Sequence, residues 1–133
     1  MQVVKQLSIL LKNRPGTLAD LCTHLTNEGI NIVGFMVADT IDHAVIRMVV
    51  DEPLKATHLL GNSGLLVVET DVLMVDLKNE PGQLAKLSTK LSDNSINLEY
   101  AYGGISMESS SGVLYLRPSN THGAFELLEA DYS

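Results

Sequence analysis

The sequence predicts an α+β protein built from two βαββαβ units in tandem, each an antiparallel sheet with its helices on one face. Three observations carry this. The text "LKNRPGTLADLCTHLTNEGINI" (Leu11–Ile32) returns as "LKNEPGQLAKLSTKLSDNSINL" (Leu77–Leu98), an offset of 66 with 12 of 22 positions identical. Each copy alternates apolar, β-branched runs with stripes of helical spacing. The chain has 133 residues and is 45% hydrophobic, enough to bury a core in each of two small units.

In the first copy, "VVKQLSILL" is apolar and β-branched enough for a strand. Pro15 then suits the first position of a helix, where its missing N–H costs nothing. Leu18, Leu21, Cys22 and Leu25 follow at i, i+3, i+4 and i+7, one buried stripe. Gly29 stops the helix, because glycine accepts the left-handed conformation past a helix end. "INIVGFMVA" is a second strand, "DTID" a turn shaped by Asp39 and Asp42, and "HAVIRMVV" a third strand. "DEPLKATHLLGNSG" is a second helix, with acids and Pro53 at its start and Gly61 and Gly64 at its end. "LLVVE" is a fourth strand.

The second copy runs strand "DVLMVDL", helix from Pro81 to about Asp93, strand "INLEYAYGGI", turn "SMESSSG", strand "VLYLR" and helix "SNTHGAFELLEA". Leu84, Leu87 and Leu91 repeat the buried stripe. Tyr100 and Tyr102 alternate with Glu99 and Ala101, so both are expected on one face, packed against helices, with a place lining a seam as the alternative. Repeat one is expected over residues 1–70 and repeat two over 71–133. The counterpart of the fourth strand, from Leu65, would begin at residue 133, so repeat two lacks its last strand. The residues before Leu7, and 2–5 in particular, are expected to fill that vacant slot and remove an exposed sheet edge.

Charge and residue chemistry exclude several classes. A formal net charge of −7 argues against nucleic-acid backbones and anionic membranes, which need a basic face. RNA-binding sheets of the same element order also carry stacking aromatics on their central strands, which are absent here. Cys22 is the single cysteine, so no internal disulfide forms; it is read as a small core residue, replaced by Ser88 in the second copy. His24, His43, His58 and His122 lack the spacing of a metal site. No nucleophile–base pairing or phosphate loop stands out, so no enzyme, metal or cofactor is expected. The start does not read as a signal peptide and no apolar run spans a bilayer, so a cytoplasmic protein is expected.

The repeated words "NRPGTLADLCTHLTNEGINI" and "NEPGQLAKLSTKLSDNSINL" resemble the signature of ACT domains, small regulatory modules that bind amino acids. The matching elements are N-x-P-G-x-L after the first strand and I-N-[IL] at the second, both present twice. The whole chain is similar to stand-alone tandem ACT proteins, and the fold so implied is a pair of ferredoxin-like sandwiches. The resemblance further implies that such domains pair side by side through their second strands and hold an amino acid at the seam. Carried over, the ligand loops are Asn13, Arg14, Pro15, Gly16, Thr17 and Leu18, and Asn79, Glu80, Pro81, Gly82, Gln83 and Leu84. The facing strand residues are Ile30, Asn31 and Ile32 in repeat one and Ile96, Asn97 and Leu98 in repeat two. The implied partners are a free amino acid, a second copy of the chain and a regulated protein not named by the sequence. Ser95 departs from the pattern by replacing Gly29, so the helix of repeat two is expected to end differently and its loop to bind less well.

These residue types suit the task. The first N–H groups of a helix lack internal partners and sit at the positive end of its dipole, where a carboxylate is held well. Gly16 and Gly82 let a ligand approach the backbone, Pro15 and Pro81 stiffen the loop, and Asn13, Asn31, Asn79 and Asn97 offer carbonyl acceptors to an ammonium group. Plainer roles stand beside these. Asn-x-Pro-Gly is also an ordinary helix start, and the asparagines also suit strand-end backbone groups. Arg117, standing where copy one has Val49, suits a rim salt bridge or a carboxylate clamp. A dimerisation module that binds no ligand is the main alternative to an amino-acid sensor.

Overall fold

The computed structural model describes residues 1–39 and 42–132. The elements run β1 (Gln2–Lys12), α1 (Thr17–Asn27), β2 (Ile32–Asp39), β3 (His43–Val50), α2 (Pro53–Asn62), β4 (Val67–Lys78), α3 (Gln83–Asp93), β5 (Leu98–Gly104), β6 (Ser111–Pro118) and α4 (Thr121–Tyr132). The turn expected at Asp39–Asp42 centres on Thr40 and Ile41, which lie outside the described residues, as does Ser133. The chain forms two compact units, Lys5–Thr70 on the one hand and Met1–Val4 with Asp71–Ser133 on the other. The fold is α+β, with antiparallel pairing between neighbouring strands in each unit.

In the unit of Lys5–Thr70 the strands lie in the order β2-β3-β1, and the first residues of β4 follow beside β1. The amide of Leu10 donates to the Leu66 carbonyl (3.5 Å) on that side. Leu7, Ile9 and Leu11 point to one face of β1, and Ala44, Ile46, Met48 and Val50 to the same face of β3. Leu21 and Leu25 of α1 and Ala56 and Leu60 of α2 cover them. Each fully buried leucine contributes roughly 1.5–3 kcal/mol. Leu18 and Cys22 of the expected stripe are half-buried.

The other unit has the order β4-β6-β5, with the first residues of β1 beside β4. Leu73, Val75 and Leu77 meet Leu87 and Leu91 of α3 and Ala124 and Leu128 of α4. Met1 and Val3 pack against this core, and the Met1 ammonium donates to the Tyr132 carbonyl at 2.9 Å. Leu65 and Val67 stand in the same relation to the core of the first unit. β4 is one uninterrupted strand, so the fourth strand of copy one continues into the first strand of copy two.

Three sequence expectations are corrected. Leu84 is 53% exposed and lies outside the second core, whose helix contacts begin one turn later at Leu87. Tyr100 and Tyr102 do share a face, but it is the one turned away from the helices. They pair with Arg117 and Tyr115, which alternate with the core residue Leu116. The cause is a register shift between Leu98 and Tyr100, which reverses the in–out alternation. Tyr102 stacks on Tyr115 with ring centroids 5.3 Å apart. Third, the helix of repeat two ends as that of repeat one does. The amides of Glu28, Gly29 and Ile30 bond back to Leu25, Thr26 and Leu25, and those of Asn94, Ser95 and Ile96 to Leu91, Ser92 and Leu91. Ser95 takes the left-handed φ of 59° where Gly29 has 73°.

Candidate ligand-binding loops

Both loops end in a helix that starts without a side-chain cap. Gly16 (φ 93°) and Gly82 (φ 88°) occupy the cap position in the left-handed region. The prolines therefore sit in the preceding turn, two residues before the first helical residue, and not at that first position as expected for Pro15. The turn closes with Thr17 N–H to the Arg14 carbonyl (3.4 Å) and Gln83 N–H to the Glu80 carbonyl (3.4 Å). The first helical bonds run from Asp20 to Gly16 and from Lys86 to Gly82, both 2.9 Å. The amides of Leu18 and Ala19, and of Leu84 and Ala85, precede those bonds and have no intrahelical acceptor. A Cβ built on either glycine meets nothing within 4 Å. Backbone conformation, more than close approach, thus requires glycine at these corners.

The remaining loop residues divide into framework and surface. The Thr17 hydroxyl donates to the carbonyls of Lys12 (2.9 Å) and Arg14 (3.1 Å), locking the turn. The Asn13 amide donates to Asp42, and the Asn79 amide to Ser110. The Asn79 side chain donates to the carbonyls of Met107 (3.2 Å) and Ser109 (2.8 Å), tying the loop to the β5–β6 turn. Gln83 donates to the Glu80 carboxylate at 3.3 Å. Loop one carries the cation Arg14 where loop two carries the anion Glu80, so an approaching carboxylate is favoured at the first and repelled at the second.

The strand residues sit elsewhere. Ile30 is buried in the core. Asn31 exchanges bonds with Asp51, its amide donating to the carboxylate (2.9 Å) and its carbonyl accepting from the Asp51 amide (3.1 Å). Asn97 makes the matching exchange with Ser119, at 3.0 and 2.8 Å. The backbones of these asparagines are therefore engaged, and both side chains are exposed. Ile32 pairs with Val50 at one end of β3, whereas Lys12, next to the loop, pairs with His43 at the other. Seven residues of strand separate the two sets by about 23 Å, and repeat two has the same arrangement. One repeat does not bring its own loop and strand residues together. Ile96, Asn97 and Leu98 instead line a shallow cavity of about 410 Å³ with Ser88, Ser92 and Ser95.

Other singled-out residues have structural partners. Arg117 donates to the Thr121 hydroxyl (2.8 Å) and the Asp71 carbonyl (3.4 Å), which joins β4, β6 and α4. His24 lies 3.0 Å from the Ser63 hydroxyl. Among the described residues no group of His, Cys, Asp and Glu is placed to hold a metal, and no helix is long and apolar enough to cross a membrane.

This duplicated unit, with its glycine corners in matching positions, agrees with a sequence comparison: the model of the ACT domain pair matches residues 1–131. The chain belongs to that family. Among solved structures, protein BT0572 from Bacteroides thetaiotaomicron is 33% identical to this ACT pair, with a TM-score of 0.92 over 98% of this chain and 90% of that one. The ligand-free regulatory subunit of aspartate kinase from Thermus thermophilus shares the fold at 14% identity and TM-score 0.68, covering 98% of this chain and 97% of that one. The regulatory subunit of aspartate kinase from Thermus flavus does so at 16% and 0.66, covering 98% and 96%. No curated protein matches this ACT pair.

Residues that sequence reasoning missed come from three separate segments. Leu10, Asp20, His24, Leu60, Ser63 and Leu65 line a cavity beside the first loop. The one signal available in the sequence was the replacement of some of them between copies, Leu10 by Asp76 and Ser63 by Asp131, while Leu60 is kept as Leu128.

Proposed function

We propose that the protein is a regulatory module that senses a free amino acid and acts on a partner protein, with no catalysis of its own. The ligand carboxylate is received by the amides of Leu18 and Ala19 beyond the Gly16 corner, and Asn31 with its neighbours comes from an adjoining repeat. The same proposal divides the chain into repeats of 1–70 and 71–133, with residues 2–5 serving as the last strand of the second. The single observation that carries the reading is the uncapped helix start at an open glycine corner. The names of the two aspartate kinase subunits, which are regulatory, add to it at the level of fold.

A second reading, a dimerisation module without a ligand, draws on β2. This strand bonds only to β3 among the described strands, and its Phe35 and Val37 are 58% and 44% exposed. A second copy would cover such an edge. Thermal unfolding of the full chain with each standard amino acid separates the two. A ligand at a hundred times its Kd adds about 2.7 kcal/mol and raises the midpoint by several degrees. Gly16→Val is expected to abolish that rise while the far-ultraviolet spectrum stays folded. A midpoint unmoved by every amino acid favours dimerisation, and a rise that survives Gly16→Val moves the site away from this corner.

A further inference from the structure

Repeat one contains a cavity of about 640 Å³ at the end of β1, between the first turns of α1 and the end of α2. It lies within the unit of Lys5–Thr70, so it is complete without a neighbour. Leu11, Leu21, Leu60 and Leu65 form an apolar lining, and Lys12 and Arg14 stand among the wall residues. Lys12 and Arg14 are exposed, and neither makes an ion pair among the described residues. They are two of only nine Lys and Arg residues in a chain of net charge −7, so cations at an apolar cleft are a local departure from the general charge.

The equivalent place in repeat two is built differently. It measures about 370 Å³ and is lined by Asp76, Lys78, Lys86 and Asp131, with Met1 and Tyr132; Lys78 stands for Lys12, so two lysines there are offset by two carboxylates. By repeat position Asp76 stands for Leu10, Glu80 for Arg14 and Asp131 for Ser63. A Lys90–Asp131 ion pair of 2.6 Å joins α3 to α4 there. A hydrogen bond between His24 and Ser63, 3.0 Å, joins α1 to the residue that caps α2 in repeat one.

We propose that this cleft binds a small amphipathic carboxylate, its extended aliphatic chain on the leucines and its acid group between Lys12 and Arg14, in repeat one alone. An apolar cavity with a few convergent polar groups is what such a ligand needs, and guanidinium pairs well with carboxylate. The volume lies in the range that takes ligands much larger than a free amino acid. The other titratable groups facing the cleft are Asp20, His24 and His43. With the histidines neutral, the two cations outnumber Asp20 and leave one positive charge for the acid group. The cleft shares Arg14 and Thr17 with the first loop, but its apolar wall and Lys12 lie outside that loop, and the proposal uses none of the helix-start amides on which the amino-acid reading rests.

The test uses the full chain and octanoate as the probe, followed by leucine-methyl NMR. Saturable one-to-one shifts are expected at Leu11, Leu21, Leu60 and Leu65, with Leu73, Leu87 and Leu116 of repeat two unmoved. Arg14→Glu is expected to weaken binding about tenfold or more, and Leu10→Asp, which copies repeat two, to weaken it as well. Both positions are exposed, so the variants are expected to fold. Octylamine is expected not to bind; equal binding of octylamine and octanoate would mean hydrophobic adsorption and overturn the proposal. Absence of saturable shifts, or equal response of both repeats, overturns it too. If free leucine moves these methyls while octanoate does not, the cleft is an amino-acid site and the carboxylate proposal falls, with the amino-acid reading intact.

Discussion

Exchanging the residues that end α1 and α3 tests how each repeat tolerates a left-handed backbone. Ser95 holds φ at 59° where Gly29 holds 73°, and both helices close with the same hydrogen bonds. A residue with a Cβ is disfavoured in this region by roughly 1–2 kcal/mol. Glycine gives back part of that, about 0.5–1 kcal/mol, through greater freedom of the unfolded chain. Ser95→Gly is therefore expected to stabilise the protein by about 0.5–1 kcal/mol. Among the described residues Ser95 makes no side-chain hydrogen bond, so none is lost. Gly29→Ser is expected to destabilise by a similar amount, because a Cβ there meets nothing within 4 Å and the cost is conformational alone. Urea titration of the full chain reads both changes as shifts of the midpoint at constant slope. If Ser95→Gly leaves the midpoint where it was or lowers it, the attribution of strain to this position is wrong.

Two further predictions concern titration. Lys90, hydrogen-bonded at 2.6 Å and then through its charge, holds the Asp131 carboxyl below its ordinary value. Its contribution is present above the unfolded value and fades as pH falls through the lower, folded one. Carboxyl NMR is expected to show Asp131 titrating at higher pH in Lys90→Met, and an unchanged midpoint would discount the ion pair in solution. Burial, and next the charge of Asp76, raises the Tyr115 phenol above its ordinary 10.0. The associated stability is complete below the unfolded value and is lost as pH rises through the folded one. Ultraviolet titration is expected to show one late-ionising tyrosine fewer in Tyr115→Phe; an identical curve would refute the assignment.

Much of the architecture was legible because the repeat says everything twice. Leucine spacing placed Leu21, Leu25, Leu87 and Leu91 on buried faces, since helical periodicity is a local property. The direction of the tyrosines was not legible. A single extra residue between Leu98 and Tyr100 inverts the alternation, and nothing in "INLEYAYGGI" marks it. The exposure of Leu84 was hidden for a related reason: a stripe tells which face turns inward, not how far along the helix the core extends.

By itself the sequence determined the duplicated α+β unit and the proline–glycine loop ahead of the first helix of each copy, because these follow from spacing and from backbone preferences of single residues. Only the tertiary structure decided that Lys12, next to the first loop, and Ile32 lie at opposite ends of β3, about 23 Å apart along it, and that Leu10, His24 and Ser63 share one cavity. Strand register and helix packing set such distances, and both arise from contacts between residues far apart in the chain.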